Sequence, residues 1–164
     1  MWEGTEHVVV AASVDAVWTI VTDVARHAEL AGSGEILSIR VDGPVTVGST
    51  WDADIRVPKL DEPFVARSEV LVFDPPREFS WSSAPPPIID GEPESVPHVT
   101  WWFRLSPHDR GTLVEHAFRV VEPRVGAEDL TNFFDSTDRV ATIRAGMRQT
   151  LSNLKGVAEA GLIA

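Results

Sequence analysis

Apolar positions along the chain follow two periods, and the switch between them divides it into three parts. Thr5 to Ala11 alternates loosely and is rich in Val, which predicts a strand. Ser13 is placed to cap a helix. Beyond it Val14, Val17, Trp18, Val21 and Val24 recur at three- and four-residue steps, with Asp15 in the first turn where the helix dipole favours a carboxylate. This spacing predicts a short helix to Asp23, a second from Val24 to Leu30, and a stop at Gly32 and Gly34. From Ile36 the period is two. Ile36 to Val41, Ser49 to Val57, Val65 to Phe73, Glu78 to Ser83, Val99 to Leu105 and Thr112 to Val121 read as strands, separated by turn residues such as Asp42-Gly43-Pro44 and Asp74-Pro75-Pro76-Arg77. In the last third Val140, Ile143, Met147, Leu151, Leu154 and Val157 return to helical spacing and predict one long amphipathic helix.

Strands joined by short turns make an antiparallel meander, and a single long helix is left to cover its apolar face. The sheet must curl around that helix. A cylinder about 10 Å across does not fill a curled sheet, so a cavity between the two is expected. Ala84 to Pro97 interrupts the meander with five of the twelve prolines, which cannot donate in a ladder, so it is a loop. Two readings stay open for it: a surface insertion, or a lid that dips Ile88 and Ile89 into the cavity mouth.

Composition narrows the class. The 164 residues fit one domain spanning 1–164, with enough length to bury a core without staples. Lys+Arg 14 against Asp+Glu 25 gives a net charge of −11, which argues against nucleic acid and anionic membrane surfaces as partners. No apolar run is long enough to span a bilayer, and Met1-Trp2-Glu3-Gly4 lacks the order of a signal peptide, so a cytoplasmic protein is expected, as a monomer or homodimer. With no Cys, thiol nucleophiles, iron–sulfur clusters and cysteine-ligated zinc are excluded. His7, His27, His98 and His108 show no ligand spacing, and no phosphate-cradling glycine loop or nucleophile elbow is present; neither a metal nor a cofactor is expected. The aromatic set, Trp 6, Phe 7 and Tyr 0, suits a core or an apolar pocket and cannot supply a phenolic acid.

Three stretches resemble a known superfamily. Ala12 to Asp23, with its Val17-Trp18 pair, is similar to the first strand-to-helix passage of the START, birch-allergen and polyketide-cyclase proteins (SRPBCC). Val72 to Trp81, through Asp74-Pro75-Pro76-Arg77, resembles its hairpin, and Gly146 to Lys155 its final helix. Gly111 to Val114 enters the last strand in the same manner, so the likeness spans nearly the whole chain. It implies an α+β helix-grip fold: a curved antiparallel sheet of about seven strands around a long C-terminal helix, with two short helices after the first strand. Leu30-Ala31 stands where the family usually has Trp or Pro-Trp.

Strand alternation assigns an inner wall. Trp51, Ala53, Ile55 and Val57 share one face, then Ala66, Ser68, Val70 and Val72, then Phe79 and Trp81, then Val99, Trp101, Phe103 and Leu105, then Thr112, Val114, His116, Phe118 and Val120. With Ile143 and Met147 from the helix, the candidate ligand-binding residues are Trp51, Ile55, Ser68, Val70, Trp81, Trp101, Phe103, Val114, His116, Phe118, Ile143 and Met147. His116 is the ionisable group on that face. It is either a hydrogen-bonded core imidazole or the candidate acid–base of a reaction. Wall and resemblance together suggest binding of a hydrophobic small molecule: a lipid, polyketide or aromatic metabolite. One alternative is an aromatase/cyclase-type enzyme without cofactor, using His116. A second is a co-chaperone-like interaction domain, which an outward Trp102 would serve.

Overall fold

The structure, a computed structural model, describes residues 2–57, 62–84, 98–121 and 138–161. The chain runs β1 (Glu3–Val10), α1 (Val14–Val21), a 3-10 turn (Val24–Arg26), α2 (His27–Leu30), β2 (Ile36–Arg40), β3 (Thr50–Ile55), β4 (Phe64–Asp74), β5 (Glu78–Ala84), β6 (His98–His108), β7 (Gly111–Val121) and α3 (Arg139–Ala160). All neighbours in the sheet are antiparallel, in the order β1-β7-β6-β5-β4-β3-β2, so the first strand closes beside the last. This is the helix-grip arrangement expected from the resemblance. The second helix expected at Val24–Leu30 resolves into the 3-10 turn and the single turn of α2.

Local chemistry fixes the joints. The Ser13 hydroxyl accepts from the Ala16 N–H at 3.1 Å and starts α1. Thr112, expected on the inner wall, is fully buried and donates to the Ala12 carbonyl at 2.8 Å, tying β7 to the β1–α1 corner. Helix α3 buries Ile143, Met147, Leu151, Leu154 and Ala158 against the sheet, while Val157, expected in the stripe, is 37% exposed. The stripe passes to Ala158 instead, four residues beyond Leu154. Two latches orient the helix. Arg144 and Arg148 both donate to Glu6 on β1, at 2.9 and 2.8 Å. Asn153 donates to the Leu30 carbonyl at 3.0 Å, and the Gly32 N–H to the Thr150 hydroxyl at 2.9 Å, which holds the α2 segment against α3.

One strand departs from simple alternation. The β4–β5 register shifts between Val70 and Val72, so that Val70 faces Trp81, Val72 faces Ser80 and Phe73 faces Phe79. A bulge inserts one residue and exchanges the faces beyond it. Val72, expected inside, turns to the outer face, and Phe73 turns in, edge-on to Trp18 at 5.4 Å. On the outer face Trp102 donates to Glu115 at 3.1 Å and lies beneath the Arg104 guanidinium at 5.0 Å. The exposed large apolar side chains among the described residues are Leu37, Val47, Val65, Leu71 and Val157. The covered indole of Trp102 therefore gives no sign of the apolar patch that an interaction domain would present.

Candidate functional site

Register places the aromatic rings of the inner wall in rows. Phe79 pairs with Phe103 and Phe103 with His116, while one step along Trp81 pairs with Trp101 and Trp101 with Phe118. Side chains directly opposite across a strand pair share a face and touch. The His116 ring consequently stacks on Phe103, centroids 4.2 Å apart and planes 11° apart, and on Trp101 at 5.9 Å. Trp81 lies 5.8 Å from Phe103 and 6.4 Å from Trp51, extending the wall to β3.

Between this wall and α3 is a cavity of about 250 Å³. Trp51, Ile55 and Ser68 line it from β3 and β4, Trp81, Trp101, Phe103 and His116 from β5 to β7, and Ile143 and Met147 from the helix. Its floor on β3 and β4 includes the small pair Ala53 and Ala66, which face each other in register. Three of the candidate binding residues are elsewhere. Val70 and Val114 are buried in the main core, and Phe118 in a second cluster with Val120, Ile143 and Met147. Phe118 fits beneath the helix because Gly4 faces it: a Cβ there would come within 2.9 Å of the ring. Of the loop and lid expected at Ala84 to Pro97, Ala84 is the last residue of β5, and 85–97 lie outside the described residues.

Two polar features of the wall were not among the candidates. His27 is buried, lines the cavity, and sits 5.3 Å from the Trp81 ring. The signal was present in the sequence: Val24, His27 and Leu30 fall three residues apart, and all three are buried. Glu35 and Arg139 also line the cavity and form a bidentate pair, 2.5 and 2.8 Å, with side chains 13% and 14% exposed. They stand 104 residues apart, and no local pattern marks them.

The two imidazoles share one electrostatic situation. His116 Nδ1 lies 3.0 Å from the Trp102 carbonyl and His27 Nε2 lies 2.7 Å from the Val21 carbonyl. A carbonyl only accepts, so each of these nitrogens carries the proton. Burial pushes His116 down to about 4, against the opposing bond to Trp102, and nearby His27 lowers it further. Burial lowers His27 as well, with the Val21 bond and the Asp23 charge acting the other way. Both rings are neutral at physiological pH. No described carboxylate bonds to either ring. Among the described residues no group of three or more His, Cys, Asp or Glu could hold a metal ion.

The sequence profile described as "Polyketide cyclase / dehydrase and lipid transport" matches residues 1–159. The chain belongs to that family. Comparison with curated proteins gives no match. Solved structures share its fold at low identity. A Mesorhizobium loti protein aligns at TM-score 0.65 and 16% identity, covering 96% of this chain and 97% of that one. The di-domain ARO/CYC StfQ of the steffimycin biosynthetic pathway aligns at TM-score 0.68 and 14% identity, covering 99% of this chain and 52% of its own length. A Mycobacterium smegmatis protein aligns at TM-score 0.63 and 20% identity, covering 98% and 92%. At these identities the likeness establishes the fold. No helix among the described residues is long and apolar enough to cross a membrane.

Proposed function

We propose that this member of the polyketide cyclase / dehydrase and lipid transport family binds an aromatic or polyketide-like small molecule in the cavity between sheet and α3. The observation that carries the reading is the wall of Trp51, Trp81, Trp101 and Phe103 around about 250 Å³ of space. For scale, a cavity of roughly 150 Å³ takes benzene, so two fused rings fit this one. Flat apolar rings gain burial and stacking against such a wall. The lining residues Trp51, Ile55, Ser68, Trp81, Trp101, Phe103, His116, Ile143 and Met147 are proposed as contacts.

Catalysis of cyclisation is the second reading, supported by the family and by the di-domain ARO/CYC neighbour. It asks one of the imidazoles to move a proton. An imidazole whose conjugate acid has a pKa of about 4 is a weak base at neutral pH. His116 also lacks a carboxylate partner among the described residues to raise its basicity. Binding is therefore the leading function. Native mass spectrometry of protein purified from its own source tests it. A co-purifying aromatic mass is the expected result, and a protein that arrives empty and gives no thermal shift with any aromatic compound refutes it.

A further inference from the structure

We propose that the cavity selects ligands that donate hydrogen bonds, aromatics bearing hydroxyl groups rather than carbonyl or ether oxygens, because His27 and His116 are both held in tautomers that leave only an acceptor nitrogen for the ligand. The inference rests on reading the cavity as an aromatic small-molecule site and names the substrate class for it.

The tautomers follow from the backbone. His116 commits its Nδ1–H to the Trp102 carbonyl, which leaves Nε2 with a lone pair. His27 commits its Nε2–H to the Val21 carbonyl, which leaves Nδ1 with a lone pair. Neither remaining nitrogen has a hydrogen bond to another described residue, yet no buried side-chain nitrogen or oxygen lacks a partner. The two lone pairs therefore open on accessible space, and both rings line the same cavity. Shifting the proton to offer an N–H to the ligand instead would break a buried bond and set a ring lone pair against the carbonyl oxygen. Burial keeps both rings unprotonated, so neither becomes a donor by gaining charge.

A ligand carbonyl or ether oxygen placed at either nitrogen sets lone pair against lone pair out of water. A hydroxyl at the same place forms a hydrogen bond. Trp51, Trp81 and Trp101 also line the cavity, and the one polar group of each is an indole N–H, a donor. The histidines decide which oxygens are tolerated at their own positions. The guanidinium of Arg139, another donor on the wall, is engaged by Glu35 through both of its terminal nitrogens.

The test measures binding of naphthalene, 2,7-dihydroxynaphthalene, 2,7-dimethoxynaphthalene and 1,4-naphthoquinone by calorimetry. The quinone is close to the diol in size, and the chain has no Cys to react with it. The diol is expected to bind about tenfold or more tightly than the ether and the quinone, the loss of one buried hydrogen bond setting that scale. His116→Phe and His27→Phe keep a flat ring at each place and remove both nitrogens, and with them the acceptor. Each variant is expected to shrink the diol preference by several fold, read as the ratio of diol to ether affinity within that variant, so that any general loss of wall contact, which naphthalene reports, cancels. Diol, ether and quinone binding equally to the wild type overturns the inference and leaves the aromatic-site reading standing. A preference that survives in both folded variants also overturns it. Failure of all four compounds, naphthalene included, refutes the aromatic-site reading and the inference with it.

Discussion

His116 is shut away from water, and that burial outweighs its bond to the Trp102 carbonyl, which acts the other way, so the neutral form is favoured. Its consequence for stability has a definite sign. In the unfolded chain the imidazole titrates near 6.5, and in the fold at about 4. Above pH 6.5 both states are neutral and the fold keeps its full stability. As the pH falls from 6.5 toward 4, the unfolded chain takes up a proton that the folded one refuses. Stability should drop by about 1.4 kcal/mol per pH unit, to a total near 3 kcal/mol. His27 acts in the same direction. The depressed carboxylates Asp52, Asp54 and Glu159 lose their contribution at lower pH, as they are protonated, so the slope between pH 7 and 5 is left to the histidines. Urea titrations at pH 7, 6 and 5 should show the slope, and His116→Asn should flatten it. A wild-type slope equal to that of the variant would mean the ring is not held neutral. Truncating Trp81, buried among His27, Phe79 and Phe103, should cost about 3 kcal/mol in the same assay. At this scale the sequence was partly legible. Alternation pointed His116 inward because a strand has only two faces. His27 was overlooked because metal-ligand spacing was the wrong question for it, and Glu35 with Arg139 had no local signature, being joined only by the fold.

Elements were more legible than side chains, and the reason is visible in β4. Its hydrophobic period correctly marks a strand, but a bulge between Val70 and Val72 reverses the faces from that point on. No turn residue announces it. What selects it is the packing of Phe73 against Trp18 and Phe79, which are contributed by other elements. The β6–β7 hairpin shows the opposite case, in which one residue is dictated by its own backbone. Gly111 has φ +131°, and a Cβ there would sit 2.1 Å from the Val10 carbonyl oxygen. That region is accessible to glycine and strained for other residues. Gly111→Ala should therefore lower the melting temperature markedly, by several degrees at about 2–4 °C per kcal/mol for a chain of this size. Gly156→Ala is the control: nothing lies within 4 Å of its Cβ position, and it sits inside α3 where Ala is the better helix former. A melting temperature that rises for Gly156→Ala and falls for Gly111→Ala separates backbone strain from a general cost of substitution. Equal responses would deny the strain at the hairpin.

For the whole molecule, one helix across one curled sheet leaves space that packing does not fill, and the cavity is where that space collects. Its floor lies close to the sheet backbone because Ala53 and Ala66, both buried and facing each other across β3 and β4, carry only methyl groups there. Larger residues at these positions would extend into the cavity rather than into neighbouring atoms. Ala66→Leu should then behave unlike ordinary overpacking, which typically costs about 1–3 kcal/mol. The added carbons gain burial against Trp51, Trp81 and Met147 across an opening that is already there, so the unliganded protein should keep or slightly raise its melting temperature. Ligand binding should fail at the same time. An aromatic ligand at a hundred times its Kd adds about 2.7 kcal/mol to the wild type, a rise of roughly 5–11 °C at the conversion that applies to a domain of this length. In Ala66→Leu that rise should vanish. Thermal melts of the two proteins, each with and without a hydroxylated naphthalene, give all four numbers in one experiment. An unliganded variant that melts much lower would mean the space over Ala66 is filled in the folded protein. A variant that still gains the full ligand shift would place the binding site outside this cavity.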